Sequence, residues 1–194
     1  MPVARGNKPK LYFDTCCFLD MLQYGLKISP KPDRALHVEY CKRFLHASRK
    51  GDVAVYTSML TSAECICVKD ESVADKHTRV MTDEVKRLIT GMLQSGKSGV
   101  EAVQATPAVV NRSRDLEWMH GARFNTMDSL HIATALVTGC DYFITTDDKL
   151  DKWGGVQIIK KLGLGVCRAD AIANLLPDGN QNLLPLVGGK AGKS

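Results

Sequence analysis

Short apolar stretches alternate along the chain with longer segments in which apolar residues recur at helical spacing. The short stretches are rich in Val, Ile, Tyr and Phe and predict β-strands, whereas the longer periodic segments predict α-helices. Strands are predicted at residues 10–14, 53–56, 100–105 and 142–145. A last strand falls at either 155–161 or 165–168, and the pattern leaves both choices open.

Helices are predicted between these strands, and capping residues mark several of their starts. The candidate caps are Asp33, Thr57 or Ser58, and Asn125 or Thr126. The predicted ranges are 15–24, 33–50, 59–67, 73–93, 107–121, 127–138 and 170–176. Because strands that alternate with helices indicate βαβ crossovers, the pattern predicts an α/β fold whose parallel sheet is covered on both faces.

Two of the predicted helices have a readable core face. In helix 33–50 the apolar stripe consists of Leu36, Tyr40, Phe44 and Ala47. That orientation leaves His37 and His46 on the solvent side. In helix 59–67 the apolar stripe consists of Met59, Leu60, Ala63, Ile66 and Cys67.

The length of 194 residues suits one compact domain, expected at 8–180, with a flexible tail at 181–194. No apolar stretch reaches the length of a membrane helix, and the basic start lacks the apolar core of a secretory signal. We therefore expect a cytoplasmic protein without membrane contact. Seven scattered cysteines indicate reduced thiols. The net charge of +5 permits a polyanionic partner without requiring one.

Four acids that are far apart in sequence fall at corresponding places in the predicted fold. Asp14 ends the first strand, and Asp147 follows the fourth. Glu64 lies in the second turn of the helix after the second strand, and Asp128 lies in the first turn of the helix before the fourth. Because the carboxyl ends of parallel strands share one edge, where ligands usually bind, we expect these side chains to converge.

Convergent carboxylates repel one another unless a cation compensates their charge. Hard divalent ions with oxygen ligands supply that compensation, and Mg²⁺ typically takes one or two carboxylates together with waters and phosphate oxygens. A pair of such ions, about 3.5–4 Å apart, can activate a water and stabilise the leaving oxygen of a phosphodiester. The acids therefore favour a metal-dependent nuclease.

Each acid also has an interpretation without catalytic function. Asp14 could cap the next helix, and Asp128 would interact favourably with a helix dipole. Asp147 and Asp148 could be turn residues. Glu64 is harder to explain in this way, because it borders the apolar stripe of its helix, where an unpaired acid is costly. The expected convergence of all four favours the functional interpretation.

Four stretches resemble the PIN-domain ribonucleases, the family that includes the toxin half of many toxin–antitoxin pairs. They are 11–20 (LYFDTCCFLD), 57–64 (TSMLTSAE), 127–135 (MDSLHIATA) and 140–150 (CDYFITTDDKL). They occur in the family's order and extend over most of the chain between residues 10 and 150. The third and fourth stretches together are specific to the family.

The resemblance implies a three-layer α/β/α sandwich and Mg²⁺- or Mn²⁺-dependent cleavage of single-stranded RNA that leaves a 5′-phosphate. The family's metal-binding acids fall on Asp14, Glu64, Asp128 and Asp147. Supporting hydroxyls fall on Thr15 and Thr145, and Asp148 is the spare acid of the last motif. For toxin members the resemblance also implies a cognate antitoxin protein, although no residue pattern indicates one.

Basic residues near the acids are candidates for RNA contact, with a solvated surface as the alternative for each. They are Arg112, Arg114, Arg123, Lys149 and Lys152. A PIN-like module that binds RNA or protein without cutting stays open as a second function. The apolar helices could also bury a homodimer face.

One further motif points to a different function. Residues 91–98 (GMLQSGKS) fit the phosphate-binding P-loop pattern G-x-x-x-x-G-K-[ST]. That pattern requires a strand before it and a helix after it. Here a helical stripe continues into the motif and a predicted strand follows, so an ordinary turn is the favoured interpretation over a nucleotide-binding site.

Overall fold

Seven strands occur in the part of the chain that the computed structural model describes, residues 8–70, 78–93 and 97–177. They are β1 (Lys10–Phe13), β2 (Ala54–Ser58), β3 (Val68–Lys69), β4 (Arg79–Val80), β5 (Val100–Val103), β6 (Tyr142–Ile144) and β7 (Gly165–Cys167). Five of them form one parallel sheet in the order β5-β2-β1-β6-β7. Strands β3 and β4 pair antiparallel in a separate two-stranded sheet.

Helices cover both faces of the parallel sheet, which confirms the predicted α/β/α architecture. They are α1 (Thr15–Leu26), α2 (Ala35–Lys50), α3 (Met59–Glu64), α4 (Asp83–Leu93), α5 (Pro107–Trp118), α6 (Thr126–Thr138) and α7 (Gly155–Lys161). Short 3₁₀ segments occur at Pro32–Arg34, Asp148–Gly154 and Ala169–Leu175. Among the described residues, no helix is long and apolar enough to cross a membrane.

Strand β1 shows how the two helical layers meet the sheet. Leu11 and Phe13 are fully buried in a core formed with α1, α2 and α4. Tyr12, between them, is fully buried on the opposite face against α5 and α6. Because successive strand residues point to opposite faces, a continuous apolar run is what a central strand between two layers requires.

The order of the strands places a crevice at the carboxyl end of β1. In the register of the sheet, Tyr12 pairs with Tyr56 of β2 on one side and with Phe143 of β6 on the other. The chain proceeds from β1 to β2 and β5 on one side and later adds β6 and β7 on the other. The strand order therefore reverses between β1 and β6, and ligands usually bind at such a reversal.

The structure decides between the two candidates for the last strand. Gly165–Cys167 forms β7, and Gly155–Lys161 forms a helix. Gly154, with a φ of 72°, provides the left-handed residue from which α7 starts. Ile159 of α7 is fully buried in the core on the α5 and α6 side. Other apolar residues of this helix pack against the same core, as a helix requires.

The predicted helix 73–93 is wrong in its first half. Arg79–Val80 is strand β4, paired with β3, and α4 starts only at Asp83. The helix starts there because the Thr82 hydroxyl accepts a hydrogen bond from the Val85 amide and so caps it. Residues 73–77 lie outside the described residues, as do residues 94–96 of the predicted turn and the expected tail at 181–194.

The two predicted core faces are also wrong in part. Leu36 is 54% exposed whereas His37 is fully buried, so α2 is rotated relative to the expected orientation. The buried ring is tolerated because His37 accepts a hydrogen bond from the Ala169 amide. Helix α3 ends at Glu64, and Met59 and Ile66 are each about half exposed.

Candidate active site

All four predicted acids line one cleft of about 670 Å³, which we call the carboxylate cleft. They are Asp14, Glu64, Asp128 and Asp147. The cleft lies where the strand order reverses. Asp14 follows β1 directly, and Asp147 follows β6 after two threonines. Glu64 is the last residue of α3, and Asp128 lies in the first turn of α6.

Asp14 is held by hydrogen bonds to both of its carboxylate oxygens. Oδ1 accepts from the Thr15 amide at 2.8 Å, so Asp14 caps α1 as the non-catalytic interpretation expected. Oδ2 accepts from the Thr145 hydroxyl at 2.7 Å and from the Cys16 thiol at 3.3 Å. Burial raises the pKa of Asp14, although His131 and these hydrogen bonds oppose the rise.

Glu64 is oriented through one oxygen. Its Oε2 accepts a hydrogen bond from the Thr15 hydroxyl and lies 2.7 Å from Nε2 of His131. Burial raises the pKa of Glu64, but the hydrogen bonds from His131 and Thr15 outweigh burial and hold the pKa below its ordinary value. Glu64 is therefore stabilised as a charged carboxylate.

Asp128 experiences the repulsion that the sequence predicted. Its Oδ2 accepts a hydrogen bond from the side-chain Nδ2 of Asn125 at 2.6 Å, and its backbone amide donates to Oδ1 of Asn125, which caps α6. Burial raises the pKa of Asp128 to about 6, and the charges of Asp14 and Asp147 contribute to the rise. A nearby cation would lower this pKa by favouring the charged form.

Thr145 links two of the acids. Its hydroxyl donates to Asp14 and accepts a hydrogen bond from the Asp147 amide at 3.0 Å. Asp147 Oδ1 in turn accepts from the Lys149 amide at 2.9 Å. The two predicted supporting hydroxyls, Thr15 and Thr145, thus contact Glu64 and Asp14 respectively.

Sequence reasoning missed Asp20, a buried acid near the cleft. Its side chain is only 3% exposed and forms an ion pair with Arg34, with Nη1 contacts of 2.8 and 3.1 Å. The Thr146 hydroxyl donates to the same carboxylate at 2.9 Å. Because this charge is already compensated, Asp20 anchors Arg34 at the rim instead of adding another open carboxylate to the five that line the cleft, Asp148 included. The sequence could have indicated Asp20 through its position on the buried face of α1, where an acid needs a partner.

The cations around the cleft differ from those expected. Lys149 lines it, as do three residues that sequence reasoning did not select, Lys31, Arg34 and Lys69. The expected Arg112, Arg114 and Arg123 are not among the lining residues. Arg114 instead donates to Asn111 on its own helix and lies over the Trp118 ring at 5.1 Å. Helix α5 therefore presents this arginine away from the acids.

The P-loop interpretation does not fit the fold. Gly91 lies inside α4, so the motif begins within a helix and not after a strand. Strand β5 follows the motif, where the pattern requires a helix.

A second group of metal-ligating side chains lies in the core, and we call it the thiol–imidazole cluster. Its members are Cys17, His37 and Cys41, and their ligand atoms lie within 4.8 Å of one another. Each has a hydrogen-bond partner: the Cys17 thiol donates to the Ile144 carbonyl at 3.1 Å, and His37 Nε2 lies 3.4 Å from the Cys41 sulfur. Burial lowers the pKa of His37 to about 4. The cluster is thus satisfied as neutral groups.

Carboxylates gathered where the strand order of an α/β sheet reverses form a site that suits a divalent cation. The family model for the PIN domain matches residues 11–156, well over half of the chain, and the chain therefore belongs to the PIN-domain family. Proteins of this family are generally hydrolytic nucleases that use divalent metal ions. A search of curated proteins found no match.

Proposed function

We propose that this protein is a divalent-metal-dependent endoribonuclease that hydrolyses phosphodiester bonds of single-stranded RNA. The observation that supports this most strongly is the convergence of four carboxylates in one cleft, where mutual repulsion contributes to the raised pKa of Asp128. A set of carboxylate oxygens suits Mg²⁺ or Mn²⁺ better than a soft ion. Such ions, when bound, would supply activation of water and stabilisation of the leaving oxygen.

The side chains of the cleft have separate roles in this proposal. The metal ligands are Asp14, Glu64, Asp128 and Asp147. The Thr145 hydroxyl orients Asp14, and the Thr15 hydroxyl orients Glu64. The cationic groups that line the cleft would neutralise backbone phosphates of the RNA, so binding should weaken as salt is raised.

We test the proposal by removing the metal and one ligand separately. The purified chain, stripped with EDTA, is incubated with a panel of labelled single-stranded RNAs and increasing Mg²⁺ or Mn²⁺. Cleavage should require the metal and yield 5′-phosphate ends. Asp14→Asn should reduce the rate at least about 100-fold, since a metal ion contributes several kcal/mol of transition-state stabilisation.

The matched control is Asp83→Asn, because Asp83 is fully exposed on α4 and, within the described residues, pairs with Lys86 in the same turn. That variant should cleave at the wild-type rate. Cleavage by Asp14→Asn at the wild-type rate would contradict the proposal. RNA binding without cleavage in either metal would instead identify a non-catalytic PIN-like module.

Membership of the PIN-domain family supports a toxin role, with a cognate antitoxin protein as partner. Seven free cysteines suit the reducing cytoplasm as its location. A homodimer would cover exposed apolar side chains of α5 and α6 such as Val110, Trp118 and Val137.

The toxin role is tested by expression in a bacterial host, which should arrest growth for the wild type but not for Asp14→Asn. Unaffected growth would exclude a toxin role in that host, while the RNA assay would still decide the nuclease.

A further inference from the structure

His131 is a buried histidine with a partner at each ring nitrogen. Its ring is only 1% exposed on α6. Nδ1 lies 2.6 Å from the Tyr12 hydroxyl, and Nε2 lies 2.7 Å from Glu64 Oε2. These contacts connect the central strand β1, helix α6 and the end of α3, three elements from distant parts of the sequence.

The direction of the hydrogen bonds follows from the chemistry of the groups. An ionised carboxylate only accepts, so His131 Nε2 must carry a proton and donate a hydrogen bond to Glu64. The Tyr12 hydroxyl can donate to Nδ1 or accept from it, so this hydrogen bond holds the ring in place whether or not Nδ1 carries a proton. Tyr12 is itself fully buried, and its ring stacks on Phe143 with centroids 5.2 Å apart and an interplanar angle of 9°. The hydrogen bonds from Tyr12 through His131 to Glu64 are therefore anchored in the central strand of the sheet.

The consequence for Glu64 is an asymmetry between its two oxygens. Oε2 receives both the Thr15 hydroxyl and His131 Nε2. Oε1 has no hydrogen-bond partner among residues 8–70, 78–93 and 97–177. Glu64 is the last residue of a helix of only six residues, and its side chain is 29% exposed. Apart from these two hydrogen bonds, little restricts the rotamers of a glutamate in that position.

We propose that His131, supported by Tyr12, is a positioning residue that occupies Oε2 of Glu64 and so presents Oε1 to the divalent ion. This inference rests on the proposed function, because it takes Glu64 as a metal ligand. Groups that hydrogen-bond to metal ligands fix their orientation, and losing such a group typically weakens metal binding about 10–100-fold. His131 acts through Glu64 and needs no contact with RNA.

The test measures Mn²⁺ affinity directly by isothermal titration calorimetry of the full chain, independently of cleavage. His131→Leu removes both ring nitrogens and should raise the Kd for Mn²⁺ about 10–100-fold. His131→Gln places an amide donor near the position of Nε2 and should restore most of the affinity. Tyr12→Phe removes only the hydroxyl and keeps the stacked ring, so it should raise the Kd roughly two- to tenfold, the equivalent of one hydrogen bond.

The matched control is His37→Leu, which removes the other buried histidine among the described residues, in the thiol–imidazole cluster. It should lower the melting temperature and leave the Mn²⁺ affinity unchanged. Unchanged Mn²⁺ affinity in a folded His131→Leu variant overturns the inference. An equal loss of affinity in His131→Gln and His131→Leu also overturns it, because the donor would then not matter.

If His131→Leu fails to fold, Tyr12→Phe decides, and an unchanged Kd in that variant overturns the inference. A failure of the proposed function can be distinguished from a failure of this inference about His131. A wild-type chain that binds Mn²⁺ but cuts no RNA contradicts the nuclease, while the comparison of affinities still tests His131. A wild-type chain that binds no Mn²⁺ overturns both.

Discussion

The carboxylate cleft and the thiol–imidazole cluster both gather metal-ligating side chains, yet they differ in how their charges are balanced. In the cleft, four acids lie together, and the pKa of Asp128 rises to about 6 through burial and the neighbouring charges. In the cluster, the groups are fully buried and the pKa of His37 falls to about 4 because of burial. The cleft keeps charge that a cation would stabilise, whereas the cluster avoids charge altogether.

Ligand-type side chains that lie close together therefore do not define a metal site by themselves. His37 Nδ1 accepts a hydrogen bond from the Ala169 amide, so the single proton of the neutral ring resides on Nε2, which faces Cys41. A metal ion that binds Nε2 would have to displace that proton. The proton could not move to Nδ1, because it would then face the N–H of the Ala169 amide. In the cleft, Glu64 keeps an oxygen that no donor in the described part of the chain contacts, and an ion can bind to that oxygen.

The largest effect is expected at Asp147. Asp147→Asn should reduce RNA cleavage at least about 100-fold, because it removes a proposed ligand of the divalent ion. Asp148→Asn, at the adjacent position and with the same chemical change, should change the rate less than about threefold. Rates at saturating Mg²⁺ provide the measurement. Equal losses in the two variants would show that the cleft responds to overall charge and not to a particular ligand.

The next effect concerns the cluster and acid pH. Unfolded histidine titrates near 6.5, and His37 in the folded chain titrates at about 4. Between these values the unfolded chain binds the proton more tightly, so His37 should make the protein less stable as pH falls from about 6.5 towards 4, by about 3 kcal/mol in total. Urea unfolding of the wild type and His37→Gln across this range measures it. A wild-type slope that survives in His37→Gln would assign the loss to other groups.

Asp128 should show the opposite dependence on pH. Its pKa is raised to about 6 in the folded chain from an ordinary 3.8, so the folded chain holds this proton more tightly. Without metal, stability should therefore fall as pH rises from about 4 to 6, by about 1–2 kcal/mol once solvent screening is allowed for.

The check is the difference in unfolding free energy between wild type and Asp128→Asn in EDTA across that pH range. Addition of Mg²⁺ should remove the wild-type loss. A difference that does not vary with pH would mean that neither burial nor the neighbouring acids raise the pKa of Asp128.

The smallest effect is expected from Cys41→Ala in the cluster. Truncation of this buried thiol should cost about 1 kcal/mol of stability, since it leaves a small cavity and removes a partner of His37. RNA cleavage and Mn²⁺ affinity should stay within about twofold of wild type. Stoichiometric Zn²⁺ binding that disappears in this variant would contradict the contrast, because the cluster would then be a metal site.

Local sequence determined much of the architecture. The apolar run of β1, the caps Ser58, Thr106 and Asn125, and the left-handed Gly139 at the end of α6 all act through neighbouring residues. The corresponding elements begin within one residue of their predicted starts. Because strands alternate with helices along the chain, the sequence alone was sufficient to predict the parallel sheet. Because all carboxyl ends of such a sheet share an edge, the sequence also predicted where the four acids would lie.

Tertiary contacts decided what periodicity could not. Pairing between β3 and β4 replaced the start of a predicted helix, and the amide of Ala169, far along the chain, allowed His37 to be buried. The partners of Glu64 and Asp20 likewise come from remote segments. A side chain's hydrogen bonds and effective charge depend on neighbours that only the folded chain brings together, so positions along the sequence indicated the acids, while the packing of α1, α3 and α6 determined how each one is held.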